Sequence, residues 1–339
     1  MGKSKEQFIE QSEFESLKNE EVPQEEITKE ESEYYNLIGK IQRKELALSY
    51  SSLKQFYNTP RSFINYKLSK FERTPAMVFG SLLDCLILTP ENFEKEYVIL
   101  NTTPSSVNQI GFCNDYILNI ENGVNESDAK LSAYALNYKQ GGADKVYDSL
   151  SNYIKAKLSG KECISSADKL KANQIAKSVL SNPTAQKWLE QAETIQEKLE
   201  WEYNGYKNKG FLDVRGKYFI MDLKYKSQSS DINDFQWDFK KLHYDLQAGM
   251  YCKAVQILNL IDNPEYYIMV YDAKGEVSVI KIDHSYILYG QHKYDFCLQE
   301  FKRCTSENSW QLSHDFYGQN NGVFNMIKPK FAEIKGILK

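Results

Sequence analysis

Between residues 194 and 225 three runs of alternating apolar and polar positions follow one another, and they predict a β-meander. The runs cover about 194–203, 206–214 and 217–225. Asn204-Gly205, between the first two, is a hairpin signal because both residues tolerate positive φ. Arg215-Gly216 marks the second reversal. Side chains alternate faces along a strand. In the third run Met221, Leu223 and Tyr225 therefore point one way, toward a core, while Asp222 and Lys224 point together the other way. Asp213 lies near the end of the middle run.

Helical spacing surrounds this meander. Ser51-Ser52 predict the cap of a helix beginning at Leu53, and Pro60 opens a second helical start. From Met77 to Leu88 the chain is apolar except at Ser81 and Asp84, with Phe79, Leu82, Leu83, Leu86 and Ile87 as the buried stripe. Residues 101–162 read as an inserted helical arm with patches at 130–138 and 143–158, separated by Gly141-Gly142. An amphipathic stretch at 165–191 breaks at Pro183. After the meander, 231–258 reads as one long helix that puts Gln247 and Tyr251 four apart on one face. Strands at 266–272 and 277–282 and a helix at 284–303 close the pattern. The expectation is an α/β fold with a central sheet flanked by helices.

Composition narrows the class. The 339 residues are 42% hydrophobic, enough for a sizeable core in one large domain or two modest ones. A net charge of −4 argues against coating nucleic acid by bulk charge, though not against a local basic groove. The 6 cysteines contain no CxxC pair, so structural zinc or a disulfide framework is not expected. No apolar run approaches membrane-spanning length, and a soluble, cytoplasmic protein is expected. The Glu-rich residues 1–45 read as an acidic, disordered or loosely helical tail; 46–310 form the main domain, and 311–339 a basic tail.

The chemistry begins with Asp222 and Lys224. A carboxylate and an ammonium side by side, one strand from the Asp213 carboxylate, suit a divalent metal and a polarised water. Such a triplet also arises by chance about once in a chain of this length, and then marks only a solvated strand face with an ion pair. Asp84 adds weight, because a lone carboxylate in so apolar a helix is costly unless it is paired or binds a metal.

Four pieces in order sharpen the reading: SSLKQFYNTPRSF, FGSLLDCLILTPENFEKEYV, GFLDVRGKYFIMDLKY and HYDLQAGMY. Over about 50–303 the chain resembles the PD-(D/E)xK nuclease superfamily, and within it the RecE-type (exodeoxyribonuclease VIII-like) phage exonucleases. The resemblance implies a restriction-endonuclease-like core. Asp213 matches the first-motif Asp, and Asp222 and Lys224 match the second motif. Gln247 and Tyr251 match the helix motif that follows, and Glu197 matches an acidic residue that often precedes the hairpin. Two positions depart from the pattern: Leu212 stands where the first motif has Pro, and Asp84 stands where a helix His ligates metal. Asp offers oxygen, which suits Mg²⁺ or Mn²⁺. The resemblance implies Asp84, Asp213 and Asp222 as metal ligands, and the reading adds Lys226, Lys240 and Lys241 as DNA contacts. It further implies a Mg²⁺-dependent 5′-to-3′ exonuclease on double-stranded DNA, acting in phage-type recombination. Such an enzyme would be a homo-oligomer beside a single-strand annealing protein in a bacterial host. The competing expectation is a DNA-binding or protein-docking module of the same fold with weakened catalysis.

Overall fold

Helices enclose both faces of a five-stranded mixed sheet in the computed structural model, which describes residues 29–69, 73–100 and 102–312. The first helix, α1 (Lys29–Gln42), buries Leu37, Ile38 and Ile41 in the core. The globular unit thus starts before residue 46, and the residues from 29 onward are not a loose tail. Apolar residues spaced three and four apart give this Glu-rich stretch a face to bury. Residues 1–28 and most of the basic tail lie outside the described residues.

Next come α2 (Tyr50–Asn58) and α3 (Pro60–Leu68). α2 starts three residues earlier than the Ser51-Ser52 signal implies. Ser49 is its N-cap and forms a reciprocal capping box with Ser52. α4 (Pro75–Leu88) carries Asp84, and a short 3₁₀ turn leads to α5 (Phe93–Glu96) and β1 (Tyr97–Ile99). The arm then leaves as α6 (Val107–Glu121), α7 (Glu126–Asn137) and α8 (Ala143–Leu158). It returns to β2 (Glu162–Ile164), which pairs in parallel with β1. The arm has three helices where two were expected, and they share a core of their own around Phe112, Tyr116, Ala129, Ala133 and Ile154. Between α9 (Ser166–Ser181) and α10 (Pro183–Leu189) the break falls at Pro183, as expected.

The meander follows as β3 (Ala192–Tyr203), β4 (Tyr206–Gly216) and β5 (Phe219–Lys226). Asn204 and Gly205 have φ of 51° and 77°, as the two-residue hairpin turn demands. The expected long helix is broken in two, α11 (Ile232–Lys241) and α12 (Tyr244–Ile257). His243 between them is left-handed, with φ of 55°, and the Tyr50 hydroxyl donates to the freed Leu242 carbonyl. A continuous apolar period at 235–254 hides this break, because it is made by backbone and a distant hydroxyl. β6 (Glu265–Asp272), β7 (Val277–Ile282) and α13 (His284–Glu307) complete the fold.

Strand order is β3-β4-β5-β6-β7; only the β5–β6 pair is parallel. Ile220 on β5 and Ile268 and Val270 on β6 face the core made with α2, α3, α12 and α13. Met221, Leu223, Met269 and Tyr271 face the core made with α4 and α9. The expected alternation on β5 therefore holds, but neither face is solvated.

Candidate active site

The site lies where β4 leaves β5. The two strands pair only at Val214↔Met221 and Arg215↔Ile220, and beyond these the ladder ends. The Leu223 N–H would then be an orphan donor in a buried strand. Asp213 Oδ2 accepts it at 2.8 Å, so a side chain replaces a ladder bond at the fork. Gln196, on the far side of Asp213, donates to Oδ1 at 3.2 Å from a left-handed backbone of φ 51°.

Asp222 is 5% exposed. Its Oδ1 accepts from Gln247 Nε2 at 2.8 Å, and its Oδ2 stands 2.5 Å from Lys224 Nζ. That oxygen has no well-aligned hydrogen bond among the described residues, so its partner is the charge of the ammonium. The Lys224 ammonium also lies over the Tyr244 ring, 5.0 Å from its centroid. Tyr251, one turn after Gln247 on α12, is buried beside Gly210 of β4, which leaves room for its ring. Asp84 reaches the same region from α4, and the Tyr271 hydroxyl donates to its Oδ1 at 3.2 Å.

These groups feel one another. Burial, then the Asp222 charge, raises Asp213 to about 7, against the pull of Lys224 and two donors. Burial, then Asp213, pushes Asp84 well above the usual carboxylate range. Burial by itself would lower Lys224; Asp222, Tyr244 and Asp213 override it and hold the ammonium well above its ordinary value. Burial raises the Tyr251 phenol, and the Asp222 and Asp213 charges add to it.

The crowded carboxylates set a pH dependence. An acid whose folded pKa is raised binds its proton more tightly when folded, so stability falls as pH rises from the unfolded value through the folded one. For Asp213 and Asp84 that window starts near the ordinary carboxylate range and runs through about 7 for Asp213. Melting of the metal-free protein is expected to drop between about pH 6 and pH 8, by on the order of a few degrees. Mn²⁺ should restore more at the higher pH, where it no longer competes with a proton on Asp213. Thermal melts in EDTA and in Mn²⁺ check this; a melting point that rises with pH in EDTA contradicts it.

The donor set fits a hard divalent cation. It holds three carboxylates and no thiolate, and their mutual repulsion is what a dication relieves. Tyr271 engages Asp84 through Oδ1. The three do not form a ready cage, however: no group of three His, Cys, Asp or Glu is gathered for a metal among the described residues. Each carboxylate is partly engaged by Tyr271, Leu223 and Gln196, or Gln247 and Lys224.

A PDDEXK-like domain of unknown function (DUF3799) matches residues 49–313. The chain belongs to this family. The match spans the sheet, the arm and α12, so the fork between β4 and β5 lies inside the PDDEXK-like domain. The crystal structure of a candidate exonuclease from Eubacterium rectale is similar to it, with 16% identity and a TM-score of 0.48 over 90% of this chain and 96% of that one. A search of curated proteins gives no match.

Of the residues expected at the site of this PDDEXK-like domain, Asp213, Asp222, Lys224 and Gln247 come together, with Tyr251 and Asp84 within electrostatic reach. Glu197 does not join them. Arg215 Nε and Nη2 donate to its two oxygens at 2.6 and 3.3 Å, and Thr194 donates at 2.6 Å. Burial opposes the charge on Glu197, but Arg215 and Thr194 outweigh it and lower its pKa. Lys226 pairs with Asp238 at 3.0 Å, and Lys240 and Lys241 lie on the exposed surface of α11. Gln196 and Tyr271 carry no motif, and Tyr244 lies within HYDLQAGMY without a role of its own; sequence reasoning passes over all three. In the structure Tyr271 lies opposite Tyr225 in the β5–β6 register and shares a face with the residues nearest α4.

Proposed function

We propose that this PDDEXK-like domain is a metal-dependent exodeoxyribonuclease of RecE type, degrading double-stranded DNA from 5′ to 3′ in phage-type recombination. The observation that carries the reading is the fork itself. There Asp213 caps an open ladder bond beside an Asp222–Lys224 pair held by Gln247. Asp84, Asp213 and Asp222 are the residues that would hold Mg²⁺ or Mn²⁺. Once bound, the ion supplies Lewis-acid polarisation of the phosphate. Lys224 orients the attacking water and stabilises the negative charge that builds on the phosphoryl oxygens. Gln247 fixes the Asp222 carboxylate, and Tyr251, packed against Gly210 of β4, helps to position the scissile phosphate. In this reading the enzyme works as a homo-oligomer in the cytoplasm, beside a single-strand annealing protein. Among the described residues no helix is long and apolar enough to cross a membrane.

End-labelled linear duplex, closed circles and single strands, each incubated with Mg²⁺ or Mn²⁺, test the reading. Stepwise loss from 5′ ends of linear duplex, with circles spared, supports it. Cleavage of closed circles makes the protein an endonuclease instead. Asp84→Ala should raise the metal concentration needed for cleavage by about tenfold or more, and Asp84→His should recover most of the activity. Unchanged metal dependence in Asp84→Ala makes Asp84 a structural residue. The second reading, a binding module with weakened catalysis, draws on the dispersed carboxylates and on the direct Asp222–Lys224 pairing. DNA that is bound but left intact in both metals favours it.

A further inference from the structure

A cleft of about 1130 Å³ opens beside the fork, away from the three carboxylates. Six aromatic side chains line it: Tyr57, Phe235, Trp237, Phe239, Tyr286 and Tyr289. Trp237 is 60% exposed, and Tyr286 and Tyr289 are each 52% exposed. Aromatic surface left in water is ordinary when scattered and informative when gathered.

The cleft carries charges of both signs. Its acids are used: Asp245 is buried and paired with Lys293 at 2.7 Å, and Asp283 caps α13 through Ser285. Lys281 pairs with Glu265. Lys240 and Lys241 stand exposed on the same wall as Trp237. The cleft therefore presents stacking surfaces and a basic rim, the combination that holds a single nucleic-acid strand by its bases and its backbone.

The cleft and the fork share their walls. α12 carries Asp245 on the cleft floor and, half a turn on, Gln247 against Asp222. α11, with Trp237 and both lysines, is tied to the end of β5 by the Lys226–Asp238 pair. α2 offers Tyr57 to the cleft. One turn earlier it places Lys54, half-buried over the Tyr50 ring, within the electrostatic reach of both Lys224 and His243. A phosphate at Lys54 would bridge the two places.

We propose that this aromatic, lysine-rimmed cleft is a binding site for single-stranded nucleic acid, and that it holds the strand running to or from the fork. The inference rests on the nuclease reading for its purpose, but its test does not. Binding of fluorescein-labelled oligothymidylate and of a blunt duplex is followed by anisotropy in EDTA, where no cleavage occurs. Trp237→Ala and Tyr289→Ala, both at exposed rings, should each weaken oligothymidylate binding about tenfold. Binding to the duplex and to base-free polyphosphate should change far less. Quenching of Trp237 emission by oligothymidylate is a second readout. The inference is overturned if neither variant weakens the single strand, if polyphosphate displaces it as well as an oligonucleotide does, or if wild-type protein does not bind it. A wild-type protein that binds the strand through these rings but cuts nothing would sink the nuclease reading and leave the cleft standing. One that digests duplex with both variants unaffected in binding would do the reverse.

Discussion

Asp222→Asn is expected to slow degradation of linear duplex by about a hundred- to a thousandfold while the protein stays folded. Asparagine keeps the shape, and its oxygen can still accept from Gln247, which now reaches Asp222 Oδ1 at 2.8 Å. What disappears is one negative oxygen for a cation and the counter-charge of Lys224. Breaking a fully buried ion pair costs roughly 3–5 kcal/mol. The cost here should be smaller, because the Lys224 side chain keeps 23% of its surface in water. Duplex binding in EDTA should hold or tighten, since a negative charge has left the path of the phosphates. Digestion at the wild-type rate would remove Asp222 from the chemistry.

The second large effect falls on stability. α12 and α13 cross at Gly249 and Gly290, and a Cβ on Gly290 would lie 1.8 Å from the Asp245 carbonyl oxygen. On Gly249 it would lie 2.3 Å from the Gln291 nitrogen. Both obstacles are backbone, so Gly290→Ala can be accommodated only by prying the helices apart. We expect a loss of about 1–3 kcal/mol or more in urea denaturation. Activity should fall as well, because α12 holds Gln247 and Tyr251. Gly80→Ala on α4 is the control: its Cβ meets nothing within 4 Å, and alanine favours a helix interior. It should leave stability unchanged or raise it by up to about 1 kcal/mol. A Gly290→Ala protein as stable as wild type would mean the crossing is looser than described.

The two variants also separate what the sequence reveals from what it hides. Asp222 and Lys224 are legible because a strand repeats every two residues, and Gln247 and Tyr251 because a helix repeats about every four. Asp84 is legible as an acid that its apolar helix cannot tolerate unaided. The helix crossing is not, since nothing in the local pattern says that Gly249 meets Gly290. The break at His243 is hidden for the same reason, and so is Gln196, whose role depends on a left-handed backbone opposite Asp213. Strands β1 and β2 are too short, at 3 residues each, to leave a period. Helix α6 did leave a signal: Ser106 and Gln109 form a capping box of the S-x-x-Q kind. The chain also reads Glu197 as a site acid, when its true partner, Arg215, lies across the hairpin. Ion pairs between strands follow register, which a single strand's pattern does not contain.

The central claim is that Asp84, Asp213 and Asp222, brought from α4, β4 and β5, share one cation next to Lys224. Crystals soaked in Mn²⁺ at about pH 8, above the Asp213 titration, test it by anomalous scattering. The account predicts a peak among those three carboxylates, and its loss in Asp213→Asn. A peak elsewhere, or none there while the protein still digests DNA in Mn²⁺, would contradict it.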